Sequence, residues 1–297
     1  MKRLFVTCCL LLAALGAAAQ EMRATAILPL WDNASAPHSN GLGAEPAVAN
    51  GRPSLTTRAE LYLYAPDPTV DKRMAVVICP GGGYRHLSME NEGARMAEWF
   101  AANGYTAAVL RYRMPNGRPE VPLEDAERAL RTMMGLEAGA TGFTADRVGI
   151  VGSSAGGHLA AMASNLADPK PAFAILFYPV ITGDASKRHK GSFDNLLGEA
   201  RTEEQTRRYS LENRVTEQTP PTLLLLADDD RTVPSVNSTR YYEALKAHGV
   251  PASMHIYPAG GHGFGMRDTF PWKAQWQAAV LDWLGRLDTN RQPTTKP

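Results

Sequence analysis

Ser154 sits in the run Gly152-Ser153-Ser154-Ala155-Gly156, with a glycine two residues away on either side. Glycine and serine form regular structure poorly. Yet the run joins "RVGIVG" (147–152), apolar as a buried strand is, to the helical pattern of "AGGHLAAMASNLA" (155–167). A G-x-S-x-G frame between strand and helix permits a tight, strained turn that lifts its middle serine above a sheet. Ser154 is therefore the candidate nucleophile and Ser153 a turn residue, while a phosphate-binding or purely structural glycine turn is the other use of such a run.

A serine hydroxyl becomes nucleophilic at neutral pH when a base takes its proton and an acid orients the base. "IYPAGGHGFG" (256–265) places His262 in a glycine-rich loop after an expected strand, which makes it the candidate base. His255 lies within that strand and His248 at a helix end. His158 is one helical turn beyond Ser154, where it could support the site but not approach the hydroxyl. Three acids, Asp228, Asp229 and Asp230, follow the strand-like "PTLLLLA" (221–227). An oxyanion needs N–H donors. The start of the helix after Ser154 supplies that of Ala155, and "CPGGGYRHLS" (79–88) offers a second from Gly82 or Gly83, where glycine lets the backbone approach a carbonyl closely.

The elements that must position these groups alternate along the chain. Strands are expected at 58–66, 74–80, 105–112, 147–152, 172–179, 221–227 and 252–258, and helices at 91–103, 122–134, 155–167, 235–249 and 271–287. The alternation predicts an α/β fold, a mostly parallel sheet with helices on both faces, in one domain spanning 58–297. Residues 20–57 read as an irregular lead, and the polar segment 182–219 as a long irregular insertion.

With 297 residues, 44% hydrophobic and 21% charged, the chain is ordinary for a globular protein able to bury a large core. A formal net charge of +1 suggests neither nucleic acid nor an anionic membrane as partner. The basic start, apolar run and Ala17-Ala18-Ala19 read as a signal peptide over 1–19, and so as export to the periplasm or the outside. Its removal would take away Cys8 and Cys9, leaving Cys79 without a disulfide partner. No metal or other cofactor is implied, since the histidines lack ligand spacing.

Together the motifs resemble the α/β-hydrolase family, and within it the secreted bacterial esterases described as acetyl-xylan or feruloyl esterases. "LPLW" and "APHSNG" in the lead, "CPGGGY" followed by Glu92-Gly93, "RYRMPNG", "PLEDAERALR" and "DRVGIVGSSAGGHLA" carry the likeness in the first half. "GSFDNLLG", "YSLENRV", "TPPTLLLLADDDRTVPSVNS" and "YPAGGHGFG" carry it in the second. The resemblance implies Ser154 as nucleophile, His262 as base and an α/β-hydrolase fold with mostly parallel sheet. In related folds the acid stands two residues before Val-Pro, which favours Asp230, with Asp229 as runner-up. It also implies an acylated carbohydrate as substrate, with acetyl against feruloyl left open. Tyr84, His86 and residues 183–217 are candidates for shaping the pocket, or for plain surface packing. The late segment also resembles the catalytic domain of prolyl oligopeptidase-type serine peptidases, so a peptidase is a second reading. A non-catalytic carbohydrate-binding protein on the same fold is a third.

Overall fold

The computed structural model describes residues 24–31, 36–137 and 145–289. The expected signal segment, 1–19, lies outside the described residues. Eight strands form one sheet: β1 (Ala26–Pro29), β2 (Glu60–Tyr64), β3 (Met74–Cys79), β4 (Thr106–Arg111), β5 (Arg147–Ser153), β6 (Ala174–Phe177), β7 (Thr222–Ala227) and β8 (Ala252–Tyr257). Their order is β1-β2-β4-β3-β5-β6-β7-β8. β1 and β2 run antiparallel to their neighbours and the other six strands are parallel.

The helices are α1 (Arg95–Ala102), α2 (Glu120–Met133), α3 (Ser154–Leu166), α4 (Lys190–Leu197), α5 (Glu203–Arg208), α6 (Val236–Ala247) and α7 (Lys273–Thr289). "MAVVIC" in β3 is buried along its whole length because both faces of the sheet are covered. Ala75, Val77 and Cys79 face one core with Leu130 of α2, Leu159 of α3 and Tyr241 of α6. Met74, Val76 and Ile78 face the other with Phe100 of α1 and Trp276 of α7. The alternation along one strand thus feeds two cores, as a period of two requires.

Two stretches differ from the sequence expectation. The lead is not wholly irregular: four residues, AILP, form β1, held to β2 by backbone pairing with Ile27 and Pro29 left exposed. The insertion holds α4, α5 and a 3₁₀ turn, Leu211–Arg214. These helices are too short for a hydrophobic period to stand out. α4 is fixed by burial of Phe193 and Leu196, and α5 by a capping box between Thr202 and Gln205.

The family-like motifs of the lead prove to be a clasp. Trp31 Nε1 donates to Asp125 Oδ1 at 2.7 Å, and Asp125, fully buried on α2, also holds the Arg113 guanidinium at 2.7 Å. Arg113 donates in turn to the carbonyl of His38. Asn40 donates to the carbonyls of Thr56 and Met114 at 2.8 and 3.0 Å. Breaking a buried ion pair from one side strands the other charge, at a cost of about 3–5 kcal/mol. Asp125→Ala should therefore lower unfolding stability by about that amount in denaturant titration. A loss below about 1 kcal/mol, the scale of an exposed pair, would contradict this account of the clasp.

Candidate active site

The turn from β5 into α3 is set by close packing. A Cβ on Gly156 would lie 2.1 Å from the carbonyl oxygen of Cys79, and one on Gly152 would lie 2.2 Å from that of Gly156. Only glycine lets the first turn of α3 settle this closely against the ends of β3 and β5. Ser154, at the turn, has φ of 55°, a region that non-glycine residues seldom occupy. The strain is held in place by its surroundings, including the Val180 N–H donating to the Ser154 carbonyl at 3.0 Å.

Three predicted side chains meet there. The Ser154 hydroxyl lies 2.8 Å from His262 Nε2, and His262 Nδ1 lies 2.6 Å from Asp230 Oδ2. With Nδ1–H donating to the carboxylate, Nε2 is free to accept the serine proton. Asp230 is 5% exposed, and its other oxygen accepts from the amides of Thr232 and Val233, both at 2.9 Å. Those two bonds explain the Asp-x-x-Val-Pro spacing. Asp229, the runner-up, points elsewhere: it accepts the Gly261 N–H at 2.7 Å, and backbone amides of the base loop hold its carboxyl below the usual range. Asp228 is exposed, its amide bound to the carbonyl of Tyr257.

The Pro-Gly-Gly-Gly loop lies across from the serine. Gly82 has φ of 140°, and a Cβ there would stand 1.9 Å from the carbonyl oxygen of His86. The amides of Gly82 and Gly83 have no hydrogen-bond partner among the described residues, and both residues line the cavity that holds Ser154. The Ala155 amide belongs to the first turn of α3, where N–H groups lack intrahelical partners. These are the groups that an oxyanion would meet.

The expectations for the pocket divide. His86 lines the cavity, whereas Tyr84 does not: it is 2% exposed, and its hydroxyl bonds His158 Nδ1 at 3.0 Å. His158 Nε2 donates to the carbonyl of Tyr209 at 2.9 Å, and burial holds its pKa down at about 4. The aromatic ring of Tyr84 gains more from the core than from solvent, so the pair ties the glycine loop to the insertion from beneath. The insertion does contribute to the pocket, through His189, Gly191 and Asn195, and Asn195 also donates to the Gly83 carbonyl at 2.8 Å.

Two residues without an expected role join the loops. Glu92 is 4% exposed and lies in a π-helical turn, Glu90–Ala94, before α1. One of its oxygens accepts the Gly81 N–H at 2.9 Å and the other the Tyr178 hydroxyl at 2.7 Å. Tyr178 accepts the Gly265 N–H at 3.0 Å, and its ring lies edge-on to that of His262 at 4.9 Å. A single carboxylate therefore connects the glycine loop, the end of β6 and the base loop. Its signal in the sequence was an acid in register with Met96 and Phe100, on the face of the helix that is otherwise apolar.

A strand-turn-helix nucleophile, an acid after β7 and a histidine after β8, in that chain order, define an α/β-hydrolase. Residues 133–289 match the prolyl oligopeptidase family and residues 61–173 the family described as BD-FAE. The chain belongs to the prolyl oligopeptidase family. It is 36% identical over 241 residues to an acetylxylan esterase of Xylanibacter ruminicola, covering 79% of this chain and 50% of that one. It is 33% identical to endo-1,4-beta-xylanase B of Butyrivibrio fibrisolvens over 68% of this chain and 34% of that protein. The chain thus spans half or less of these two relatives. The crystal structure of an acetyl ester-xyloside bifunctional hydrolase from Caldicellulosiruptor lactoaceticus superposes with a TM-score of 0.75 at 32% identity, over 89% of this chain and 97% of that one.

The geometry separates the two acids. Asp230→Asn should slow fluorophosphonate labelling of Ser154 by about 10⁴-fold, as loss of the orienting carboxylate does in this arrangement, whereas Asp229→Asn should slow it far less. Equal loss in the two variants would mean that Asp229 orients the base as much as Asp230 does. Glu92→Gln keeps one acceptor of two. It should cost about 1–3 kcal/mol of stability and slow labelling of the folded protein, measured below its melting temperature. Unchanged labelling would show that the carboxylate is not needed to hold the loops.

Proposed function

We propose that the protein is an exported serine carboxylesterase that removes acetyl, or other small acyl, groups from plant polysaccharides such as xylan. The observation that carries the chemistry is the hydrogen-bonded series Ser154–His262–Asp230 opening on a cavity of about 400 Å³. Relatives with xylan-related names favour the substrate, and the basic-apolar-small pattern at 1–19 favours export.

In this reading Ser154 Oγ attacks the ester carbonyl while His262 Nε2 takes the hydroxyl proton, forming a tetrahedral oxyanion. The amides of Ala155 and of Gly82 or Gly83 stabilise that charge, each donor being worth about 10²–10³ in rate. His262 then gives the proton to the departing sugar oxygen, leaving an acyl group on Ser154. Water, deprotonated by the same histidine, releases the acid and restores the serine. Asp230 holds the imidazole in the required tautomer throughout.

The family match also favours a peptidase as the second reading. Such enzymes commonly hold a substrate amine with carboxylates. The one carboxylate lining this cavity, among the described residues, is Glu92, whose oxygens are both engaged. That favours the ester reading.

Acetate release from acetylated xylan, with a short aryl acetate alongside, tests the proposal. Wild type should act on both, and Ser154→Ala should lose about 10⁴-fold or more. Turnover of the aryl ester alone would remove the polysaccharide substrate. Turnover of neither, with a peptide amide cleaved instead, would replace the proposal with the peptidase.

A further inference from the structure

Three arginines, Arg52, Arg85 and Arg267, line the cavity above Ser154. They come from separate parts of the chain: the lead, the loop after β3 and the segment after the base loop. Each is exposed and has no ion-pair partner among the described residues, unlike Arg73, Arg111 and Arg113 on the same protein. The lead and the loop are joined by backbone bonds, Leu55 N–H to Arg85 and Leu87 N–H to Pro53, with a bridge between Ser54 and His86. Arg52 and Arg85 therefore stand on adjacent chain segments, close enough that both charges act on His86. Arg267 stands by the base loop. Its Nη2 is 3.6 Å from the position of a Cβ on Gly263, the residue that follows the base.

Among the described residues, three guanidiniums face one carboxylate in the lining, Glu92, whose Oε1 is 3.9 Å from that same Cβ position, with Asp230 bonded to His262 behind it. Glu92 is buried and hydrogen-bonded through both oxygens. The two other histidines of the lining, His86 and His189, are held toward their neutral forms, chiefly by burial. A formal net charge of +1 over 297 residues makes this a local concentration rather than a general basic character. Clefts lined by one sign of charge raise the local concentration of the opposite one, and guanidinium matches carboxylate geometry through paired N–H donors.

We infer that the site selects esters whose alcohol portion carries a carboxylate, which for a polysaccharide means an acylated sugar with a uronic acid unit beside it. The side is set by the chemistry. His262 must protonate the departing alcohol, so the leaving group lies toward the base, where Arg267 stands; Arg52 and Arg85 add their charge to the same cavity. The inference rests on the esterase reading and names the substrate class within it.

The test is a matched pair of acetylated xylo-oligosaccharides, one with and one without a uronic acid branch. A charge-matched aryl pair, 4-acetoxybenzoate and 4-acetoxybenzamide, is run alongside. At low ionic strength the acidic member of each pair should have the higher kcat/KM, by about tenfold for the oligosaccharides. The ratio should fall toward one in Arg52→Gln/Arg85→Gln/Arg267→Gln and in high salt, where screening shortens the reach of exposed charge. Arg267→Lys, which keeps the charge but not the fork, should retain part of the preference. Equal rates on the two oligosaccharides, or a preference that survives the triple substitution, would overturn the inference while leaving the esterase standing. Hydrolysis of the aryl pair alone would remove the polysaccharide, and the ratio within that pair would then decide the charge preference. Hydrolysis of no ester would overturn both.

Discussion

The approach of the first turn of α3 to the ends of β3 and β5 is the constraint on which the site depends. Two glycines remove the atoms that would hold the helix off, and the backbone at Ser154 takes up the conformation that results. Moving the helix outward by the width of a methyl group would lift Ser154 away from His262 and shift the Ala155 amide relative to the glycine loop. Sheet, helix and Ser154 are thus a single packing problem. The strain at φ of 55° is the local cost of solving it.

A second arrangement keeps the loops in step with that turn. The His262 loop, the glycine loop and the end of β6 belong to distant parts of the chain, and loops at strand ends have little packing of their own. Glu92 and Tyr178 supply it through hydrogen bonds in a desolvated setting, where each bond is stronger and each unmatched group costs more. Buried Tyr84 and His158 do the same from beneath. The proposed chemistry needs donors fixed before the charge develops, and this network is what fixes them.

Much of this was legible in the sequence. The strand-helix alternation, the serine frame and the histidine loop each follow from local rules of periodicity and turn chemistry, and the sheet came out mostly parallel with helices on both faces. The spacing to Val-Pro favoured Asp230 but kept Asp229 as runner-up, because spacing does not show which way each of two adjacent residues at a strand end points. Tyr84 was misplaced for a similar reason. An aromatic in a glycine loop suits a pocket wall or the core equally well, and its φ of 58° turns it inward. Glu92 went unassigned because its partners are a backbone amide and a tyrosine 86 residues away, which no local pattern records.

The bridge between Ser54 and His86 gives the lead a part in the pocket wall. The groups proposed to do the chemistry hang from strand ends in the middle of the sheet, while part of the rim is carried by chain upstream of β2. Reactivity and selectivity are therefore mounted on different supports. Under the proposed function, substitutions in this upstream stretch would change which esters the cavity admits while the turn at Ser154, with its exacting fit, stays untouched.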